Sequence, residues 1–464
     1  MKDPKFIITV LISSSSIFNL LLLGCFVDSR GIVYGVQPVS DGNASINDDE
    51  ATLESFCAEQ MDIMNASLCH KKPDLKDSNL QLSRIANGIE LPTSIAFLDD
   101  DDILVLERAK GTVQRIVNGS IQDEPLLDVP VNYAGDRGML GIAVAKNENL
   151  RSTDVFLYFT QSLTGKDTYN ITEDSSNRLY KYELIDNKLI NKKLLLNVTT
   201  SSPLGDGGHN GGKLRIGPDQ NLYLIVGDLR EHRTKAQNNQ TGPAPDGTSV
   251  IYRITQDGTS VVPTVLGDKE PLDKFYAYGI RESFGFDFDP ITGKLWDTEN
   301  GPNYGDEINL VEPGFNSGWK RQQGFLINPY YPDAFVDIGE KDKIGVYSDP
   351  EFVWNQTVGP TSLKFLNTDK LGKQYENDML VGDAKFGNIY HFDLRDNRSR
   401  LAIYTPLADK IAENAKELEK IIFGSGFAIV TDLEVGPDGY LYVLSYRGEI
   451  WKIAPKIGTN VRQE

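Results

Sequence analysis

The hydrophobic positions of this chain fall in short runs, not in long stripes. From about Leu82 onward, four to six apolar residues cluster or alternate and then stop at Gly, Pro, Asn or Asp. Runs of that length bounded by turn residues predict β-strands. The runs come in pairs: Thr93–Phe97 with Asp102–Leu106, Met139–Val144 with Val155–Phe159, and Gly212–Ile216 with Asn221–Val226. Three more pairs follow, Ser283–Phe288 with Lys294–Thr298, Thr361–Phe365 with Asp378–Val381, and Thr431–Val435 with Gly439–Leu444. Third runs often come next, as at Thr112–Ile116, Ser249–Ile254 and Gly448–Ile453. The clearest turns, Gly217-Pro-Asp-Gln-Asn221 and Gly436-Pro-Asp-Gly439, have the residues that tight turns demand.

Six strand–turn–strand–strand units in series predict an all-β chain folded as a six-bladed β-propeller. A sandwich could hold the same strands, but six like units in a row favour closure into a ring. Stretches 229–247 and 322–350 read as insertions between strands. A third, 406–422, places Ile411, Ala415, Leu418 and Ile422 on one face and predicts the single helical insertion.

The first 80 residues have a different texture. Lys2 and Lys5 precede an apolar run to Phe26 that ends Leu22-Leu23-Gly24-Cys25. Basic, then apolar, then small is the order of a secretory signal, and Cys25 stands as the lipidated cysteine of a lipobox does. The run is also close to the length of a membrane anchor. Residues 1–26 are therefore a signal peptide or anchor, and the body is expected outside the cytoplasm, secreted or tethered to the outer face of the membrane. Residues 27–80 read as a polar spacer. Cys57 and Cys69, close together in an exported chain, suggest one disulfide within it. The propeller domain is expected over 81–458.

With 66 acidic against 47 basic residues, the formal charge is -19. Nucleic acid needs a basic stripe and is excluded as a partner.

Candidate chemistry centres on His209, in Asp206-Gly-Gly-His-Asn-Gly-Gly-Lys213. Flanking glycines let a ligand come close to an imidazole, and Asp228 lies at the far end of the strand pair that follows, placed to orient the ring. An exposed loop histidine is the plainer alternative. Gly207–Lys213 also fits Gly-x-x-x-x-Gly-Lys, but Leu214 stands where a phosphate loop needs Ser or Thr. Arg281, just before an inner strand, is either an ion-pair partner of Glu282 or a cation facing the channel. The segment from Glu299 to Asn309 crowds carboxylates and amides around a Gly-Pro turn, an oxygen-rich set that suits calcium or a structural turn. Lys385 follows a strand and is either a solvated edge or a channel cation.

Together these segments resemble the glucose/sorbosone dehydrogenase family over about residues 85–455. The likeness rests on His209-Asn-Gly-Gly-Lys-Leu214, Gly227-Asp228, Tyr278-Gly-Ile-Arg281, Glu299-Asn-Gly-Pro302, Gly305-Asp-Glu-Ile-Asn-Leu310 and Gly314-Phe-Asn-Ser-Gly-Trp319, in that order. The resemblance implies a propeller using pyrroloquinoline quinone (PQQ) and calcium to oxidise the anomeric hydroxyl of an aldose, with an external electron acceptor. It implies His209 as general base, Asp228 as its orienting carboxylate and Arg281 as the cation on the quinone oxygen. The carbonyls of Gly301 and Pro302 match ligands of the cofactor calcium, and Glu307 a ligand of the structural calcium. Lys385 and Gln237 match cofactor-binding residues, and Asp136 stands where the family has a cofactor-side glutamine. Three further positions depart from the pattern: Ile429 and Thr431 replace two arginines, and Glu282 replaces an asparagine. Those departures keep a second reading open, a propeller that binds carbohydrate or protein without redox chemistry.

Overall fold

The computed structural model describes residues 71–147, 152–200, 205–230, 232–325 and 335–456, with the backbone of two short strands, Cys25–Val27 and Val33–Gly35. The signal or anchor reading of residues 1–26 and the Cys57–Cys69 pairing lie outside the residues whose side chains are described.

From Asp74 to Pro455 the strands form six sheets of four to six strands. Their innermost strands are β1 (Pro92–Asp99), β2 (Met139–Asn147), β3 (Leu214–Ile216), β4 (Gly285–Phe288), β5 (Pro360–Phe365) and β6 (Val430–Val435). The next strand of each sheet is buried almost without a break, as at Leu222–Val226, Leu295–Glu299, Met379–Asp383 and Leu441–Ser445. A strand with a sheet packed on each face has no solvent side, so its apolar residues run on without alternating.

The core lies between the sheets. Leu104, Leu106 and Val113 of the first sheet meet Ile142, Val155 and Leu157 of the second. Equivalent clusters join each successive pair of sheets. The sixth cluster brings Leu444 and Ile450 of the last sheet against Ile95, Ile103 and Val105 of the first, which closes a ring.

Five sheets, rather than six, draw their first four strands from one stretch of chain in order. The β6 sheet is composite. Its outer strand is Leu80–Ala86, paired antiparallel with Glu449–Pro455 from the other end of the domain. Asp74–Leu75 likewise pairs with Ser425 and Gly424 on the β5 sheet. The end of the expected spacer, residues 74–80, is thus part of the sheets, because its backbone finds open strand edges to pair with.

The helix expected over 406–422 is corrected to one turn, Ala415–Leu418. Ile411 and Ala412 pair as a strand with Val353 and Trp354, and Ile422–Ser425 form another strand. The Asn414 side chain caps Lys416 and Glu417, which starts the helix late. Hydrogen bonds to sheet edges outcompete the helical spacing on both sides.

Candidate active site

His209 lies in the loop leading into β3 and is 4 % exposed. Its backbone adopts φ 62°, a left-handed conformation uncommon for a residue with a Cβ. Two contacts hold it there: its N–H donates to Asp136 Oδ2 at 2.8 Å, and its carbonyl accepts from Leu229 N. Gly227 lets that backbone come close, since a Cβ there would stand 2.4 Å from the His209 carbonyl oxygen and 2.8 Å from that of Arg281.

The imidazole Nδ1 and Asp228 Oδ1 are 2.5 Å apart. Asp228 is fully buried at the end of Leu222–Val226, and two other donors fix its carboxylate. Trp319 Nε1 donates to Oδ2 at 2.6 Å and Arg230 N to Oδ1 at 3.0 Å. Burial pushes the Asp228 carboxyl up, but His209, Arg281 and Trp319 outweigh it and hold it below the usual range. An ionised Asp228 sets the tautomer with the proton on Nδ1 and leaves Nε2 free to accept one. Burial, with help from Arg281 and Arg230, keeps His209 below its ordinary value against the pull of Asp228. A neutral imidazole with an open Nε2 is a general base.

Arg281 precedes β4. Its N–H donates to Glu299 Oε2 at 2.9 Å, and its Nη1 donates to the Asn300 carbonyl at 2.6 Å. The guanidinium lies over the Trp319 ring, 5.3 Å from its centre. His209, Asp228 and Arg281 are therefore one group joined through Trp319. No role for Trp319 is readable from the sequence, because its contacts depend on a loop folding back from the far side of its sheet.

The tunnel beside this group has a volume of about 650 Å³, open mouth included, and Thr93, Arg108, Asp136, Lys213, Thr361 and Ile429 are among its lining. Asp136 belongs to both tunnel and site. Glu282 adjoins the site, its Oε2 lying 3.4 Å from His209 Nε2 and 3.9 Å from Arg281 Nη1. Burial first, then the neighbouring Asp136, pushes the Glu282 carboxyl well up, against the pull of Arg281.

The other expected site residues fall elsewhere. Gln237 ends a 3-10 turn, its carboxamide oxygen accepting from Thr234 and its nitrogen donating to Thr248 at 2.9 Å. It caps that turn, and Thr234 and Thr248 take up both ends of its carboxamide. Lys385 donates to the Thr357 carbonyl at 3.1 Å and is half-buried. Gly301 donates to Asp306 Oδ1 at 2.8 Å, which pins the Gly301-Pro302 turn beside the Asn300 carbonyl that Arg281 holds.

Glu307 accepts from Gly324 N and faces Glu299 across a strand pair, with Asp297 opposite Asn309 one step on. Both carboxylate oxygens of Asp297, with Glu299 Oε1 and Asn309 Oδ1, are buried without a hydrogen-bond partner. Burial and mutual repulsion push Asp297 and Glu307 well up, and burial lifts Glu299 to about 7. Among the described residues no three such groups stand in a ready ligand cage. The donor set is nonetheless all oxygen and short of positive charge, which suits calcium at Glu307 and its neighbours.

Deeper in the ring the inner strands carry a second cluster. Lys213 pairs with Asp432, Arg215 with Glu434, and Lys364 with Asp287 at 3.1 Å and Glu434 at 3.3 Å. Ser94 Oγ also donates to Asp432, at 2.6 Å. Burial lowers both lysines to about 8. This network was not foreseen, because its partners lie on five different sheets.

The molecule is thus a ring of sheets in which a buried histidine, oriented by Asp228, stands with Arg281 beside Asp136 of the tunnel lining. Residues 89–452 match the glucose/sorbosone dehydrogenase family, and the chain belongs to it. It is 26 % identical over 392 residues to the aldose sugar dehydrogenase YliI of Escherichia coli, spanning 80 % of this chain and 92 % of that one. It is 29 % identical over 352 residues to quinoprotein glucose dehydrogenase B of Acinetobacter calcoaceticus, 67 % of this chain and 69 % of the relative. Its fold is that of the PQQ-bound aldose sugar dehydrogenase of Streptomyces coelicolor, with a TM-score of 0.57 at 19 % identity over 82 % of this chain and 99 % of that one.

The three carboxylates of PQQ find a poor match here. Ile429 and Thr431 line the tunnel. Arg108 gives its Nη1 to three backbone carbonyls, and Lys213 is paired with Asp432. Arg137 donates to the carbonyls of Ile171 and Thr200, and Arg447 pairs with Glu449 at 3.0 Å. Asp136 and Glu282 add two neighbouring buried carboxyl groups, hydrogen-bonded to each other, where the family pattern has neutral side chains.

Proposed function

We propose that this protein is an exported sugar dehydrogenase that oxidises the anomeric hydroxyl of an aldose. The observation that carries the reading is the 2.5 Å contact between His209 and Asp228, with Trp319 linking Asp228 to Arg281. Family membership gives the oxidoreductase class, and the named activities of the relatives support an aldose as substrate. Counted with the composite sheet, the ring is read as six-bladed, supported by its six shared cores.

In this mechanism His209 Nε2 takes the hydroxyl proton while the C1–H bond breaks. Hydride leaves with the electron pair to a two-electron acceptor of the quinone class, and C1 becomes the carbonyl carbon of a lactone. Asp228 stabilises the imidazolium through Nδ1–H, and Arg281 faces the negative charge that develops. Dehydration by burial strengthens each of these interactions. Calcium bound by the Gly301-Pro302 carbonyls would stiffen the turn that holds Arg281, and a separate ion at Glu307 would be structural. PQQ is the group bound by the Streptomyces coelicolor relative, and the Acinetobacter calcoaceticus relative is named a quinoprotein. The charges around this site run against a tricarboxylate, so no step is assigned to it.

The test is aldose-dependent dye reduction by the purified protein, with calcium and a panel of quinone acceptors, compared with His209→Ala. Turnover that persists in the variant rejects His209 as base. The acidic residues Asp136 and Glu282, set against a tricarboxylate, favour a second reading, a propeller that binds carbohydrate without oxidising it. Sugar binding without turnover on any acceptor would select it.

A further inference from the structure

Residues of all six inner strands, or of the loops leading into them, wall the axial tunnel. Leu140 and Ile429 bring aliphatic side chains to it, and Phe284 and Tyr446 bring rings. The small polar residues of the wall add no donors, because their hydroxyl hydrogens are spent on the protein. Thr93 Oγ1 donates to the Met139 carbonyl at 2.8 Å, Thr361 Oγ1 to the carbonyls of Gly382 and Val430, and Thr431 Oγ1 to that of Leu444 at 3.4 Å. Ser94 Oγ donates to Asp432. A hydroxyl has one hydrogen, so these groups have none left for a ligand. Lys213 is paired with Asp432, and Arg108 has backbone carbonyls for partners. Among the described residues no carboxylate pairs with Arg108, and the Tyr446 hydroxyl meets no partner. What the wall offers a ligand is apolar surface, one phenol and one cation without a counter-charge.

We infer that the tunnel takes an uncharged quinone, a benzoquinone or naphthoquinone without carboxylates, in place of PQQ. Such a ring buries flat apolar faces and has two carbonyl oxygens, for which the Tyr446 hydroxyl and the Arg108 guanidinium are donors enough. Three carboxylates would leave water for a wall with a single uncompensated cation, beside the Asp136–Glu282 pair and its own negative charge. Ile429 and Thr431, where the family pattern has arginines, are the specificity-determining residues. The tunnel also adjoins the base: Gly211 of its wall belongs to the His209 loop, and Asp136 holds the His209 backbone. The quinone's role as electron acceptor rests on the proposed function; the preference for an uncharged ring does not. In that role C1–H passes to the quinone as hydride, the hydroxyl proton taken by His209 Nε2 completes the quinol, and the aldose leaves as its lactone.

The experiment is a pair of calorimetric titrations on the full chain with calcium present, one with duroquinone, an uncharged tetramethyl benzoquinone, and one with PQQ. Wild type is expected to bind duroquinone with a Kd of about 50 μM and PQQ at least about 20-fold more weakly. Ile429→Arg/Thr431→Arg puts two guanidiniums into the wall, and is expected to tighten PQQ about 100-fold and weaken duroquinone about 10-fold. Opposite shifts cannot come from misfolding, which weakens both. Ile429→Val, checked for an unchanged melting temperature, removes one buried methylene and is expected to weaken duroquinone about 3-fold while PQQ binding stays as weak as before. PQQ binding by wild type as tight as that of duroquinone overturns the inference. Duroquinone binding that neither variant changes overturns it too, since the ring then lies outside the tunnel. So does bound duroquinone that stays unreduced by an aldose while another acceptor supports turnover. Duroquinone binding with no sugar turnover on any acceptor would defeat the catalytic reading and leave the tunnel's preference standing. Turnover with PQQ and no duroquinone binding would do the reverse.

Discussion

Two layers of charge surround the axis of this propeller. In the deeper one, on the inner strands themselves, each lysine or arginine has a carboxylate partner: Lys213 with Asp432, Arg215 with Glu434, Lys364 with Asp287. In the outer one, in the loops before β2, β3 and β4, the carboxyl groups of Asp136 and Glu282 crowd together beside His209 and Arg281, and burial with the neighbouring Asp136 pushes Glu282 well up. Burial is similar in both layers, so desolvation does not explain the contrast. Pairing does. A set of cation–carboxylate pairs holds strands in register, whereas two carboxyl groups side by side are held together by a shared proton.

The sharpest way to break this contrast is His209→Ala in the outer layer. It is expected to cut sugar-dependent dye reduction by about 10³-fold and leave the melting temperature nearly unchanged. The converse holds one layer down. Asp432→Ala leaves the Lys213 ammonium buried and unpaired, and is expected to destabilise the fold by about 3 kcal/mol or more in denaturant titrations. Asp228→Asn keeps the shape and removes the charge behind the imidazole, so kcat should fall by about 10²-fold. Trp319→Phe removes one hydrogen bond to Asp228 while keeping a ring under Arg281, and a loss of about 10-fold in kcat/KM is expected.

The pH profile is the finest probe. His209 works as a base only when neutral, and burial holds it below its ordinary value of 6.5. The acid limb of kcat/KM should therefore lie below pH 6.5, with activity flat as pH falls through 6.5 and lost only further down. A limb at or above 6.5 would mean that Asp228 dominates over burial. In Asp228→Asn the limb should move lower still, because the anion that favours the imidazolium is gone.

The site's central pair was legible in the sequence for a local reason. His209 and Asp228 flank one strand pair, so glycine spacing and a short hairpin bring them together without help from the rest of the chain. Arg281 was legible because its motif sits at the start of an inner strand, the position that faces the axis in every sheet. Trp319 and the Lys213 network were not, since their partners are 91 and 219 residues away. The capping role of Gln237 was not legible either, as it depends on a loop that folds on itself and gives the carboxamide to Thr234 and Thr248. The helix over 406–422 failed where local spacing met open strand edges, which a single sequence does not display.

The seam between Leu80–Ala86 and Glu449–Pro455 sets the timing of folding. The sheet that begins at Val430 gains its outer edge from a strand made some 370 residues earlier, a pairing of very long loop closure. On the ribosome, five sheets can stack one after another as they emerge, but the circle stays open until Pro455 is free of the exit tunnel. A product cut short inside the last sheet would have every inner loop in place, His209 included, and no closed circle to hold them at fixed separation.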